Sequence, residues 1–332
     1  NITQMYKLED IRDVHLEITS KCQAKCPMCP RRINGGPMNP FVSLDEITLD
    51  VFKKWFPENF IKQLNSMFMC GNLGDPIISK DTLEIYQYLR QTSPRIRLSM
   101  HTNGSARDEN WWKKLAQQRV IVTFGLDGLK DTNHLYRIST DFDKIIANAK
   151  AFIGAGGYAK WHMLVFEHNE HQIQEAKAMS ESLGFKTFTT KHTSRFKGDY
   201  LQVIDEKGNP LHKLRPSEKS KAMIPLVAQS QNEASPTIVC KAQKNKQIYV
   251  SACGNVSPCC WLDMEWIPPH AEARIDYMKR IKKFPNLNIS SMQEIFDSNY
   301  FKEIEDTWGH TPLKECSKQC GSFDKLGAQF EN

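Results

Sequence analysis

Ten cysteines fall at positions 22, 26, 29, 70, 240, 253, 259, 260, 316 and 320. Cys22, Cys26 and Cys29, in KCQAKCPMCP, put three soft thiolates on one short loop, a donor set suited to an iron–sulfur cluster or to zinc. Four thiolates close a structural site. Three on a four-iron cluster leave one iron open to another molecule, so this triplet points to chemistry. Close cysteine clusters without an export signal hold metal more often than disulfides. A zinc knuckle completed by a fourth ligand, Cys70 being one candidate, is the alternative.

The elements around these residues set where they sit. VHLEIT, from Val14, alternates like a strand and runs directly into the triplet. SLDEITLDVFKKWF reads as a helix capped by Ser43 with Glu46 three residues on, followed by the strand SMFMC and the turn GNLGDP. Strand and helix then alternate: TLEIYQYLRQ, RIRLSMHT, ENWWKKLAQQ, VIVTFGLDG, FDKIIANAKAFIGA, KWHMLVF, HQIQEAKAMSESLG and KTFTT. About six such units precede residue 195. They predict an α/β fold, a parallel sheet with helices outside that closes partly into a TIM-like (β/α)6 barrel. Periodicity fails over residues 195–237, which are rich in Pro, Gly, Ser and Lys and read as a linker or insertion. The remainder reads as a small domain built around metal, so the expected division is 1–200, 201–237 and 238–332.

Composition sets the outer limits. Hydrophobic residues at 40% and charged residues at 25% describe a folded globular chain, and a formal charge of +6 falls short of a dedicated nucleic-acid binder. No apolar run approaches the roughly 18 residues of a bilayer span, and NITQMYKLEDIRD lacks a signal-peptide core. A cytoplasmic protein without a membrane partner is expected.

Cys-x3-Cys-x2-Cys on a loop after the first strand of a partial barrel resembles the hallmark of the radical SAM superfamily. That resemblance implies a [4Fe–4S] cluster whose open iron binds S-adenosylmethionine (SAM), and a 5′-deoxyadenosyl radical that takes a substrate hydrogen. Met28 stands where the family often has an aromatic. GNLGDP, with Gly71, Asn72, Gly74 and Asp75, resembles the Gly-Gly-Glu-type motif, with Asp75 for the commoner Glu. Its glycines admit close backbone approach and its acid suits the ammonium of SAM. HTNGS supplies Thr102 and Asn103. FGLDGLKDTNHLYR, with Asp127, Gly128 and Arg137, resembles the Ser-x-Asp-Gly segment and its downstream arginine, with Gly125 in place of the usual serine. Arg137 offers a planar fork for a carboxylate. His168 and Asn169 also have a family look, or cap the following helix.

Cys240, then thirteen residues, Gly254, four residues and Cys259, with Cys316-x3-Cys320 later, resembles the auxiliary-cluster extension called SPASM, or its shorter form, twitch. IYVSACGNVSPCCW reads as a strand, a glycine hairpin turn and a returning strand. Cys240, Cys259, Cys316 and Cys320 suffice for one auxiliary [4Fe–4S] cluster, zinc being the alternative. The resemblance therefore implies two [4Fe–4S] clusters in all. Cys253, Cys260 and Cys70 are read as buried thiols, with exchange of Cys260 for Cys259 left open.

These features lead to a radical SAM oxidoreductase that dehydrogenates a small polar metabolite or a peptide side chain. Its electron donor would resemble flavodoxin or ferredoxin. With the first strand expected from Val14, soon after the start, no N-terminal peptide-recognition domain is expected, which weighs against leader-guided modification. Lys186, Lys191, His192, Arg195 and Lys197 stand where the barrel ends and favour phosphate or carboxylate, or form a solvated basic face. A zinc-bound RNA-interaction protein using segments 186–221 and 274–283 is the reading from another class, disfavoured because few aromatics accompany those charges.

Overall fold

The structure, a computed structural model, describes residues 5–230, 237–264, 277, 279–281, 284–321 and 330–331. The basic segment 274–283 therefore lies mostly outside the described residues. A nine-stranded sheet organises the chain in the order β10-β9-β1-β2-β3-β4-β5-β6-β11. Strands β1 (Asp13–Leu16), β2 (Ser66–Met69), β3 (Arg97–Thr102), β4 (Val120–Gly125), β5 (Tyr158–Val165) and β6 (Thr187–His192) run parallel, as the alternation predicts. Between them lie helices α1 (Leu49–Trp55), α2 (Glu58–Gln63), α3 (Thr82–Thr92), α4 (Glu109–Gln117), α5 (Asn133–Tyr136), α6 (Phe142–Gly154) and α7 (Ile173–Leu183).

Alternation along the strands explains the layering. Val14, Leu16, Met67, Leu98, Met100, Val122, Phe124, Trp161 and Met163 are buried in one core with the apolar faces of the helices, among them Phe52, Tyr86, Leu89, Trp112, Leu115 and Phe152. The intervening residues, among them His15, Phe68, His101, Thr123 and His162, take the opposite face of the sheet, where the strands curve around a lumen.

Three stretches depart from the sequence expectation. The first helix starts at Leu49, because Thr48 caps it by accepting from Val51 N, while Glu46 is drawn away to Lys21 Nζ at 2.7 Å and Lys80 N. Residues 201–230 carry a hairpin, β7 (Leu201–Ile204) with β8 (Pro210–Leu214), and helix α8 (Glu218–Ser230). Their signals are weak because the hairpin is short and Pro225 interrupts the helix. Past α9 (Lys241–Asn245), β9 (Gln247–Val250) pairs parallel with β1 and adds a seventh parallel strand to the barrel sheet.

The glycine hairpin is as read: β10 (Val256–Ser257) returns antiparallel on β9, and Gly254 turns between them with φ +92°. Then follow α10 (Cys260–Met264), α11 (Met292–Asp297), α12 (Tyr300–Asp306) and α13 (Lys314–Cys320), with β11 (Phe330–Glu331) antiparallel to β6. The stretch SMQEIFDSNYFKEIEDTW holds α11 and α12, divided at Ser298 and Asn299.

Candidate active site and metal centres

The loop after β1 carries the triplet and turns at Cys26, whose carbonyl accepts from Cys29 N at 3.0 Å. Arg31, buried, donates through Nη2 to the carbonyls of Cys22 and Ala24 and so ties the loop to itself. Cys26 packs with Ala24, Tyr136, Phe166, Phe196, Val203 and Leu214, the last two from the β7–β8 hairpin. Glu206 in that hairpin pairs with Lys25 and Arg32, and Ile204 N donates to Asn34 O. The hairpin of the segment read as a linker or insertion therefore covers the cysteine loop.

Burial raises the pKa of all three thiols, Cys26 to about 11 with Arg137 opposing the shift. A bound metal reverses that preference by coordinating thiolate. Three thiols on one loop, shielded by apolar side chains, fit a cluster with an open position.

Beside this loop a cavity of about 340 Å³ opens at the C-terminal ends of β2 to β6, where barrel folds place their sites. Seven of the eight residues assigned to the cofactor line it: Gly71, Gly74, Asp75, Thr102, Asn103, Asp127 and Arg137. Asp75 is buried, accepting from Thr102 Oγ1 (2.8 Å), Asn103 N (2.7 Å) and Ile77 N (3.2 Å), so its carboxylate joins the ends of β2 and β3. Asn103 reaches Cys22 Sγ with Nδ2 at 3.6 Å.

Asp127, wholly buried, accepts from Arg137 Nε at 2.5 Å and Leu164 N at 2.6 Å. Burial works against the Arg137 charge, but Asp127, Cys26 and Tyr136 together outweigh it and raise the guanidinium pKa. Arg137 Nη1 also approaches Cys26 Sγ at 3.8 Å. A Cβ on Gly125 would stand 2.5 Å from Arg137 Nη2, which explains glycine where the family usually has serine.

Asn72 is the exception. Its Nδ2 donates to Cys260 O at 3.0 Å and Tyr249 Oη at 3.3 Å, away from the cavity and into the C-terminal region. Glu17, which sequence reasoning missed, organises the same turn: its Oε1 accepts from Leu73 N and Gly74 N, and its Oε2 from the Tyr249 hydroxyl. Gly74 is fixed by crowding, since a Cβ there would lie 1.8 Å from Thr19 O. Asn169 is a buried lock, bonding Asp127 O, Leu164 O and Phe166 N, while His168 stacks on Phe166. Neither lines the cavity.

The lumen floor was also missed. Tyr249, His15, Phe68, His101 and His162 form a row of rings from β9 to β5, with neighbouring centroids 4.9 to 5.3 Å apart. Burial lowers the pKa of His101 to about 3 and of His162 to about 4, so both imidazoles are neutral at pH 7. Their signal was available, since each polar residue alternates with core residues inside a strand. Cys70, Lys191 and Arg195 complete this wall, and burial pushes the Cys70 thiol up to about 12.

Cys240, Cys259, Cys316 and Cys320 line one largely apolar pocket with Met5, Ile238, Leu262, Ile304 and Trp308. Cys240 caps α9, Cys259 precedes α10, and Cys316 and Cys320 stand four apart on α13. Among the described residues no three Cys, His, Asp or Glu side chains gather at single-ion distances, and these four stand around a space instead. Four thiols around one pocket, where Glu315 is the one carboxylate among the described lining residues, fit one closed cluster. Cys260, the first residue of α10, has its pKa raised to about 12 by burial and then by Cys70, and Cys253 contacts Ser251.

The fold and the thiolate loop together define a class, a partial α/β barrel that presents three cysteines beside a polar cavity at its strand ends. A family model described as the radical SAM superfamily matches residues 16–179, and one described as an iron-sulfur cluster-binding domain, SPASM, matches residues 240–321. The chain belongs to the radical SAM superfamily, with [4Fe–4S] clusters and SAM as its cofactors. A structure of anSMEcpe with bound AdoMet is 15% identical, with TM-score 0.59, covering 94% of this chain and 86% of that one. Streptococcus suis SuiB bound to SAM is 14% identical, with TM-score 0.54, covering 92% and 67%. SuiB bound to the precursor peptide SuiA gives 13%, 0.54, 92% and 66%. At these identities the likeness concerns the fold. No helix among the described residues is long and apolar enough to cross a membrane.

Proposed function

We propose that the chain is an oxidising radical SAM enzyme acting on a small polar metabolite or a peptide side chain. Cys22, Cys26 and Cys29 would hold the first [4Fe–4S] cluster, and Cys240, Cys259, Cys316 and Cys320 a second with no open position. With SAM bound, these cofactors supply a 5′-deoxyadenosyl radical and a sink for the electron left on the substrate.

The chain's own residues prepare that chemistry. Asp75 and Asn103, bonded to each other, would receive the amino-acid end of SAM, and Asp127 holds Arg137, whose fork would suit its carboxylate. The β7–β8 hairpin keeps water from the cysteine loop. Asn72 ties the glycine turn to Cys260, next in sequence to Cys259, giving a short bonded connection between the two regions. The precursor peptide bound by SuiB supports the peptide side of this reading. A flavodoxin- or ferredoxin-like protein would supply the electron, and the division at residues 200 and 237 belongs to the same reading.

One observation carries it: seven residues from three separate motifs line one cavity beside the cysteine loop. The test is anaerobic reconstitution with iron and sulfide analysis, then dithionite and SAM. Two four-iron clusters per chain and release of 5′-deoxyadenosine are expected. Zinc without sulfide, or no nucleoside from fully loaded protein, overturns the reading.

A further inference from the structure

We infer that the indole of Trp308 donates its N–H to the sulfur shell of the auxiliary cluster and so sets that cluster's reduction potential. The inference rests on the proposed function in taking Cys240, Cys259, Cys316 and Cys320 as the ligands of a second [4Fe–4S] cluster.

Trp308 stands in the 3-10 turn Thr307–Gly309 that continues α12, where Thr307 Oγ1 donates to Ile304 O at 2.7 Å. Ile304 and Trp308, four residues apart, both line the pocket of the four cysteines. Trp308 packs against the same core as Cys240, Cys259 and Cys316. Its ring nitrogen is buried, and nothing among the described residues accepts the N–H. A buried donor without an acceptor is costly, and it marks a place where a bound group completes the bond.

The neighbouring carboxylates do not complete it. Glu315 accepts from Gln319 Nε2 at 3.3 Å and faces Lys318 at 3.8 Å. Glu305, three residues before Trp308, takes Gln243 Nε2 on Oε1 at 3.1 Å. Its Oε2 is buried and has no partner either, so no bond joins it to the indole. A cluster held by the four cysteines would present sulfide and thiolate sulfurs, and these accept hydrogen bonds. One backbone donor already points at a ligand, Gln243 N at Cys240 Sγ (3.5 Å), and Trp308 adds a donor from a side chain.

Reduction adds one electron to the cluster, and the indole proton stays on nitrogen. The N–H dipole stabilises that added charge, so the bond raises the potential. The cluster becomes a readier sink for the electron left on the substrate.

The test uses the full chain, labelled with 15N-indole tryptophan and carrying Cys26→Ala so that the auxiliary cluster gives the EPR signal. Trp308→Phe should make reduction about tenfold less favourable, a fall of about 59 mV in midpoint potential. It should also remove an indole 15N coupling seen by pulsed EPR of the reduced cluster. Trp261→Phe, whose indole is exposed, should leave both unchanged. If Trp308→Phe fails to load, benzothienylalanine in place of Trp308, the same shape without the N–H, carries the test. A potential that does not move, with or without a fall in thermal stability, overturns the inference, and so does the absence of the 15N coupling. Either result from a loaded cluster leaves the proposed function standing. Iron and sulfide analysis that finds no second cluster overturns both.

Discussion

The two cysteine regions are assembled in opposite ways. The first is local: eight consecutive residues carry three thiols, and one buried arginine ties that loop to itself. The second draws Cys240, Cys259, Cys316 and Cys320 from four points of an 81-residue stretch and holds them with the packing of α9, α10, α12 and α13. A local site survives distant perturbation and depends on its own loop. A dispersed site depends on the fold between its ligands, and its ligands in turn hold that fold together.

The largest effect expected from this contrast is at Cys26. Cys26→Ala should abolish 5′-deoxyadenosine formation, with activity down by about 10³ or more, while the C-terminal cluster remains visible by EPR. Cys316→Ala should do the reverse. The auxiliary signal should disappear and thermal stability should fall, with SAM cleavage without substrate retained. Equal loss of both clusters in either variant would break the comparison.

Gly125→Ala comes next. Its new methyl displaces Arg137 from the 2.5 Å position beside it, leaving the fold intact because a flexible side chain gives way. SAM affinity should drop about tenfold, the worth of one charge-assisted contact. The smallest effect is at Asn72. Asn72→Ala removes the tie to Cys260 O and should cost about 1 kcal/mol of stability, read by denaturant unfolding of the loaded protein. SAM affinity should stay within about threefold. A larger drop would show that Asn72 turns toward the cofactor.

Much of the barrel was legible because a parallel sheet repeats its pattern: β-branched and aromatic runs alternate with amphipathic helices, and polar motifs sit where strands end. What escaped notice had weak local signals. Thr48 took the cap assigned to Ser43 because Glu46, needed for the capping box, is engaged with Lys21 and Lys80. The β7–β8 hairpin is short, its purpose visible only when Val203 and Leu214 meet Cys26. Glu17 lies inside a strand-like run, and nothing in that run shows that its carboxylate accepts from residues 73, 74 and 249.

By itself the sequence determined the chemistry of the donors: three thiols on a loop of eight residues cannot be far apart, because the chain between them is too short. It also placed Gly71, Asp75, Thr102 and Asp127 at or just beyond strand ends, with Arg137 downstream of β4. Tertiary structure alone decided which way side chains face. It turned Asn72 toward Cys260, packed a hairpin over the cysteine loop, and paired β9 with β1 so that Tyr249 meets Glu17. The Tyr249–Glu17 contact joins residues 232 apart, and local sequence carries no information about the partner that completes it.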